Sequence, residues 1–567
     1  MRSYFLLLIF SIITLNTALQ GQYKYHAPLD IDFNLSGSFG EIRGTHFHGG
    51  MDIKTNKEIN LKVYAIDDGY VSRIKISPYG YGKAIYITHE NNITSVYAHL
   101  NKYNRNIQKY VTKKQYEKKS FSIELFFDST TFKVKKGEII GFSGNTGGSF
   151  GPHLHFEMRH THSQEPFNLH EHNFIVKDTI APEIKEIKLY NINEKDFIKV
   201  KGLNTYKAHY DYNNKKYYIK DTIHASKSFG LSIFCFDKTN NNYNKNGIRS
   251  IKLKDEKQYF FKYAMEKFSF SKNKYVKSHI DYKEKQKNKK TFQKSFIDRN
   301  NKLELYDHKN YGIIKYKNDT TIKMTYLVED FYENISELNF YVNFKLTQEN
   351  NTNNTMIKTN NVKSKMYYDI KNQFKNENIK IEIPAKSLFD NIELYINEEN
   401  DTNIKYLSPI YEIHDQYVPL CSKIKLSIKH NVDEKYKDKI GITKIENSNL
   451  KFLGGKYKNN MLTQNITSFG KYTITIDTVP PTIKPINLKN NMSKAYSIRI
   501  NIKDNLSGIK SYEGEIDGKW ILMEYDYKNN KLIYSFDNSI KKGSHNFKLI
   551  VIDKSENKSE YSFNFQR

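Results

Sequence analysis

The chain has 567 residues, enough for about three to five domains at roughly 100 to 200 residues each, which excludes a single small module. Hydrophobic residues make up 38% and aromatics 14%, with 44 Tyr and 35 Phe, a supply of large apolar side chains that excludes global disorder. Lys and Arg number 89 against 62 Asp and Glu. The resulting net charge of +27 points to an anionic partner, nucleic acid or a cell envelope, or to Asn- and Lys-rich drift over solvated faces.

Arg2 precedes an apolar run from Tyr4 to Leu15, followed by the small and polar segment from Asn16 to Gly21; this is the layout of a secretory signal peptide over 1–21. The run is too short for a good membrane span, which needs about 20 apolar residues, and no Cys near the expected cleavage point offers a lipid anchor. Export turns the basic charge toward an envelope surface and away from nucleic acid. The only cysteines, Cys235 and Cys421, fall in segments assigned to different domains, so their spacing implies no disulfide.

Residues 22–177 read as short alternating strands with Gly-rich turns, such as 84–88 and 94–98, without a long helical periodicity. Eleven of the 18 histidines fall by residue 172, so chemistry is expected here. Beyond, Asp178-Thr179-Ile180-Ala181-Pro182 recurs as Asp477-Thr478-Val479-Pro480-Pro481, and Glu333-Asn334-Ile335-Ser336-Glu337 as Glu556-Asn557-Lys558-Ser559-Glu560. A strand ending at Asp237 before Gly247-Ile248 likewise matches one ending at Asp504 before Gly508-Ile509. Short strands, Asp and Asn turns and a Pro-marked start predict an Ig-like β-sandwich over 178–346, enlarged by an insertion, and a second over 477–567. The polar stretch 347–361 reads as a linker, and 362–476 as a further β-domain.

Three elements in the first domain carry candidate chemistry. His48 and Asp52 are separated by Gly49-Gly50, which favours a turn entering a strand over a helix face. In Gly151-Pro152-His153-Leu154-His155-Phe156-Glu157, strand alternation puts His153 and His155 on one face and Leu154 and Phe156 toward the core. His99 ends the strand-like run Val96-Tyr97-Ala98, placed to reach into a cleft. Each element alone is as well explained by surface or buried polar residues.

Together with Val63-Tyr64-Ala65-Ile66-Asp67-Asp68-Gly69, Gly80-Tyr81-Gly82-Lys83 and the run from Val134 to Gly147, the three elements resemble the lysostaphin/LytM-type zinc metallopeptidases, bacterial cell-wall endopeptidases. The resemblance covers residues near 38 to 170. It implies an antiparallel β catalytic domain, one Zn2+ held by His48, Asp52 and His155, and an acid/base pair of His99 and His153. A mostly β protein follows, with the LytM-type domain leading tandem β-sandwiches. It also implies peptidoglycan peptides as substrate, with other envelope components met through the β-domains, no nucleic acid, and no transmembrane segment beyond the leader. Two other readings stand beside it: an inactive relative that activates or scaffolds another wall hydrolase, and a surface adhesion protein. Family members often carry a Tyr before the first ligand; here Arg43 or a histidine is the expected stand-in. The long segment from Tyr103 to Phe132 reads as a lid, a substrate wall or a surface hairpin, and His46 and His89 as supporting or structural residues.

Overall fold

The structure is a computed structural model of the chain, describing residues 25–567 apart from 171–173, 175, 177, 193–200, 241, 347–363, 401–405 and 538. The expected leader, 1–21, and the expected linker, 347–361, lie outside the described residues, as does His172.

The chain is mostly strand, in antiparallel sheets around four large hydrophobic cores. The N-terminal module is built on a mixed-length antiparallel sheet. Its strands run Leu35–Gly37, Met51–Lys54, His153–His160, Ile93–Ala98, Lys83–Thr88, Gly69–Ile76 and Ile123–Phe126, with Lys133–Val134 also paired to Gly69–Ile76. Strand His153–His160 sits inside the sheet, and alternation divides it cleanly. Leu154, Phe156 and Met158 are fully buried in the apolar core, while His155, Glu157 and Arg159 are buried on the other face, where polar groups must find partners.

One expectation is corrected. The sequence pattern gives no long helix before residue 175, and the Tyr103–Phe132 segment was expected as a lid, wall or hairpin; it contains the helix Arg105–Glu117 followed by the edge strand Ile123–Phe126. The Asn104 side chain accepts the Ile107 N–H at 3.1 Å and so caps the helix. Only Ile107, Val111 and Gln115 are buried, a stripe one residue wide with an amide in it, too narrow to register as amphipathic periodicity.

The three following modules are two-sheet β-sandwiches. The first opens with Glu183–Asn191, in a four-stranded sheet facing a larger one, where strand Ile335–Lys345 takes Ile223–Ser226 in parallel. The next has two five-stranded sheets between Asn372 and Ile476, and the last two four-stranded sheets from Thr482 to Gln566. Phe39 and Phe47 of the N-terminal module belong to the core of the following sandwich, with ring centroids 5.8 and 5.4 Å from Phe268. Cys235 and Cys421 are buried free thiols in that same core. The last sandwich returns to the first module: Lys83 Nζ lies 2.9 Å from both Glu524 carboxylate oxygens, and the Tyr79 and Tyr527 rings are 4.7 Å apart. Among the described residues, no helix is long and apolar enough to cross a membrane.

Candidate metal centre

The sheet register brings the candidate residues together. His155 pairs with Asp52 on one side and with Ala98, the residue before His99, on the other. His48 lies in the loop leading to Met51–Lys54 and is fixed by its own backbone, which receives the Gly40 N–H and donates to the Glu41 carbonyl. That loop lies against the central strand: a Cβ at Gly50 would fall 2.1 Å from the Phe156 carbonyl oxygen, so only glycine fits. His99 has a φ of 59°, an unusual left-handed turn that ends its strand and swings the ring into the cleft.

Hydrogen bonds at the far nitrogen of each ring set what the near nitrogen offers. A carbonyl can only accept, so His48 Nδ1, 2.8 Å from the Ser38 oxygen, carries hydrogen and leaves Nε2 as a lone pair. His155 uses the opposite atoms: Nε2 donates to Glu157 Oε1 at 2.6 Å and Nδ1 faces inward. Asp52 turns Oδ1 inward, while Oδ2 accepts from Arg43 Nη2 at 2.7 Å. His48 Nε2, His155 Nδ1 and Asp52 Oδ1 thus face one another at 3.0, 2.8 and 3.2 Å. Donors of a tetrahedral zinc are spaced at about 3.3 Å, and two imidazoles with one carboxylate are a donor set zinc takes with a position to spare. The residues present therefore fit a zinc ion.

His99 and His153 complete the cleft, with ring centroids 4.7 Å apart. His99 Nδ1 donates to the Thr146 carbonyl at 2.8 Å, and His153 Nδ1 to the Gly151 carbonyl at 2.9 Å, so both rings present an unprotonated Nε2. His153 Nε2 lies 3.4 Å from Asp52 Oδ1. Burial, reinforced by the neighbouring His153 and His155, pushes His99 down to about 3, keeping it neutral at ordinary pH. Burial alone would raise the Asp52 carboxyl, but the close approach of His48, His153 and His155 holds it well below the usual carboxylate range. The cleft mouth is lined by Ser36, Arg43, Lys54, Phe150 and Pro152, with Phe150 fully exposed at the rim.

The sequence reading assigned no role to Glu157, Arg159 or Tyr81. Glu157 is fully buried; Arg159 Nε donates to it at 2.6 Å, and Tyr81 OH also donates to it while its ring stacks on His155 at 5.0 Å. The signal available was the alternation itself, which puts Glu157 on the face of His155. Arg43 does not stand free in the cleft; it is bound to Glu41 and Asp52. His46 is exposed and outside the cluster, and His89 is buried between the Asp68 carbonyl and Ser95.

A family model described as peptidase family M23 matches residues 46–116 and 129–168, spanning every residue of this cluster. The chain carries a peptidase family M23 domain. The match leaves out 117–128, which hold the last helix residue, Glu117, and the edge strand Ile123–Phe126. A second model, described as a Zu5-like domain, matches 363–477. Among curated proteins, the DD-carboxypeptidase/endopeptidase Mpg of Neisseria meningitidis is 32% identical over 112 residues, 20% of this chain and 20% of that protein. The peptidoglycan DD-endopeptidase ShyA of Vibrio cholerae is 34% identical over 138 residues, 23% of this chain and 26% of that protein. The chain thus spans a fifth to a quarter of the length of these relatives. The solved catalytic domain of lysostaphin from Staphylococcus simulans aligns at 28% identity over 24% of this chain and 80% of its own, with a TM-score of 0.16.

Proposed function

We propose that the protein is a zinc-dependent endopeptidase of the cell envelope that hydrolyses peptide cross-links in peptidoglycan, exported by its N-terminal apolar segment. The observation that carries this reading is the convergence of His48 Nε2, Asp52 Oδ1 and His155 Nδ1 beside two further histidines whose Nε2 atoms are free to accept a proton. A zinc ion held there supplies a Lewis acid that acidifies water and polarises a peptide carbonyl. The chain's own residues do the rest. His99 and His153 are locked by the Thr146 and Gly151 carbonyls in the tautomer with Nδ1–H, and one of them accepts the proton of the attacking water at Nε2. The other serves the developing oxyanion or the leaving amine. Arg43 holds the outer oxygen of Asp52, which keeps the inner one available as a ligand. Peptidoglycan as substrate draws on the endopeptidases that resemble the M23 domain, and the β-sandwiches then place the groove on the wall.

Purified protein lacking residues 1–21 is expected to convert cross-linked muropeptides to monomers, and both chelation and His48→Ala are expected to abolish this. Wild-type protein that binds no zinc, or full activity in His48→Ala, rejects the reading. His153→Ala is expected to remove turnover while keeping most of the zinc; zinc loss equal to that of His155→Ala would reverse the assigned roles.

A further inference from the structure

Two acidic triads share no residue with the histidine cluster, one in each copy of the internal repeat. Asp178, Asp237 and Asp330 each bring a carboxylate oxygen within 4.8 Å of the others, and so do Asp477, Asp504 and Asp553. The positions correspond through the repeat. Asp178 and Asp477 begin the repeated Asp-Thr motif, Asp237 and Asp504 directly follow the strands Phe229–Phe236 and Ser497–Lys503, and Asp330 and Asp553 open the repeated Glu-Asn turn. That turn is built identically in both. Asp330 Oδ1 accepts the N–H groups of Tyr332 and Asn334 at 2.7 and 2.9 Å, and Asp553 Oδ1 those of Ser555 and Asn557, both at 2.8 Å.

Carboxylates crowd together at a cost unless something positive sits among them. Asp237, Asp330, Asp477 and Asp553 are at most 2% exposed, so water screens them little. A second, separate feature points to a ligand: buried polar atoms left without a partner. Asp237 Oδ1 has none, nor has either amide atom of Asn246, 5% exposed. Asn246 faces Asp237 across two reciprocal backbone bonds, at 3.2 and 2.8 Å, which puts its side chain on the same side. In the second copy Asp504 Oδ1, Ser507 Oγ and Ser555 Oγ are likewise unpartnered, the two serines at most 3% exposed. Unsatisfied buried groups of this kind are rare, and both copies place them at the triad.

The donors are all oxygen, with no imidazole or thiolate, which selects a hard cation over zinc or copper. A span of up to 4.8 Å is about twice a Ca–O bond, and Ca2+ accepts the irregular geometry of carboxylates, amides and hydroxyls that octahedral Mg2+ refuses.

We propose that each triad is a calcium site and that the two ions lock the joints between modules. One ligand of each triad sits on the connecting chain itself: Asp178 precedes the first strand of its sandwich, and Asp477 follows strand Gly470–Ile476 of the preceding module. The surroundings tie both sides in. Asn557 Nδ2 donates to the Asp477 carbonyl at 3.0 Å, and Lys439 of the preceding module donates to Ser555 and Asn557 at 2.7 and 2.8 Å. At the other joint the Tyr332 ring lies 4.5 Å from His170. This assignment is independent of the zinc reading.

The test uses the full chain, stripped of metal and reloaded with one equivalent of zinc, in equilibrium dialysis against 1 mM Ca2+, a concentration on the order of that binding extracellular modules. Two Ca2+ per chain are expected, one in Asp237→Asn or Asp504→Asn, and none in the double variant. No bound Ca2+ in the wild type, two retained in the double variant, or equal occupancy by Mg2+ would each overturn the proposal. Thermal melts guard against misfolding. Without Ca2+ the variants are expected to melt at or above the wild type, because one of three facing charges is gone; with Ca2+ only the wild type rises. Ca2+ should also slow proteolysis near Asp178 and Asp477 at least tenfold, and unchanged cleavage with both sites filled would refute the locking role.

Discussion

His155 donates through Nε2 to Glu157, and Glu157 is held in turn by Arg159 and Tyr81, so the orientation of the His155 ring rests on a chain of buried polar and charged groups. Burial would raise the Glu157 carboxyl, but Arg159 and His155 hold it far below the usual range, and it stays an acceptor at any working pH. Glu157→Gln keeps the shape but weakens the acceptor. It is expected to lower zinc affinity about 10- to 100-fold, measured by competition with a chromogenic chelator. A second buried histidine makes a pH prediction. His279 is fully buried, donates from Nε2 to Gln293 and faces Tyr306 OH with Nδ1, and burial pushes it down to about 4. Between pH 4 and about 6.5 the unfolded chain binds a proton there that the folded chain refuses, so stability falls as pH falls through that window. The loss amounts to about 2 kcal/mol at pH 5. His279→Gln preserves a donor and an acceptor without titrating, and its urea midpoint should fall less than that of the wild type between pH 7.5 and 5. At this scale the sequence pointed to His48, Asp52, His99, His153 and His155 as candidates, and the fold brings these five side chains together. Glu157 and Arg159 were not legible, because a charged residue on a strand face ordinarily reads as solvated, and only the sheet register buries it.

The cluster owes its geometry to elements that touch backbone to backbone. Strand pairing sets His155 opposite Asp52, and the Gly49-Gly50 loop lies so close to Phe156 that no side chain can intervene. Gly50→Ala is expected to push that loop off the strand, costing about 1–3 kcal/mol of stability and displacing His48. Zinc affinity should drop while the far-ultraviolet circular dichroism stays that of the wild type; unchanged affinity would show that the loop can yield. The alternation and the turn before Met51–Lys54 were readable because period two and paired glycines are local signals. The helix Arg105–Glu117 was not, since its buried face is three residues deep and the rest of its packing comes from partners distant in sequence.

In the whole molecule, the last sandwich takes part in shaping the groove. Lys528 Nζ donates to the Asn145 and Ser149 carbonyls at 2.7 and 2.8 Å, and Ser149 Oγ lies 3.1 Å from His153 Nδ1. The Tyr116 ring, at the end of the helix, meets the Trp520 ring at 5.3 Å. No local pattern could announce contacts between residues 379 and 383 positions apart, which is why the repeat was visible in the sequence and its docking was not. Lys528→Ala is expected to leave zinc content intact and to lower kcat, by up to about 100-fold if His153 shifts by an ångström. Equal kcat in variant and wild type would show that the loop holds its shape alone.

The Lys528 contact also imposes an order in time. Synthesis delivers the chain from its amino end and domains fold as they emerge. The cluster of His48, Asp52 and His155 can therefore be assembled long before residue 528 exists. Until then the 145–149 loop lacks one of its holds, and His153 stands on an unfinished support. A polypeptide broken off between the end of the N-terminal module and Lys528 carries the cluster without the finished groove, so the site depends on a segment far along the chain.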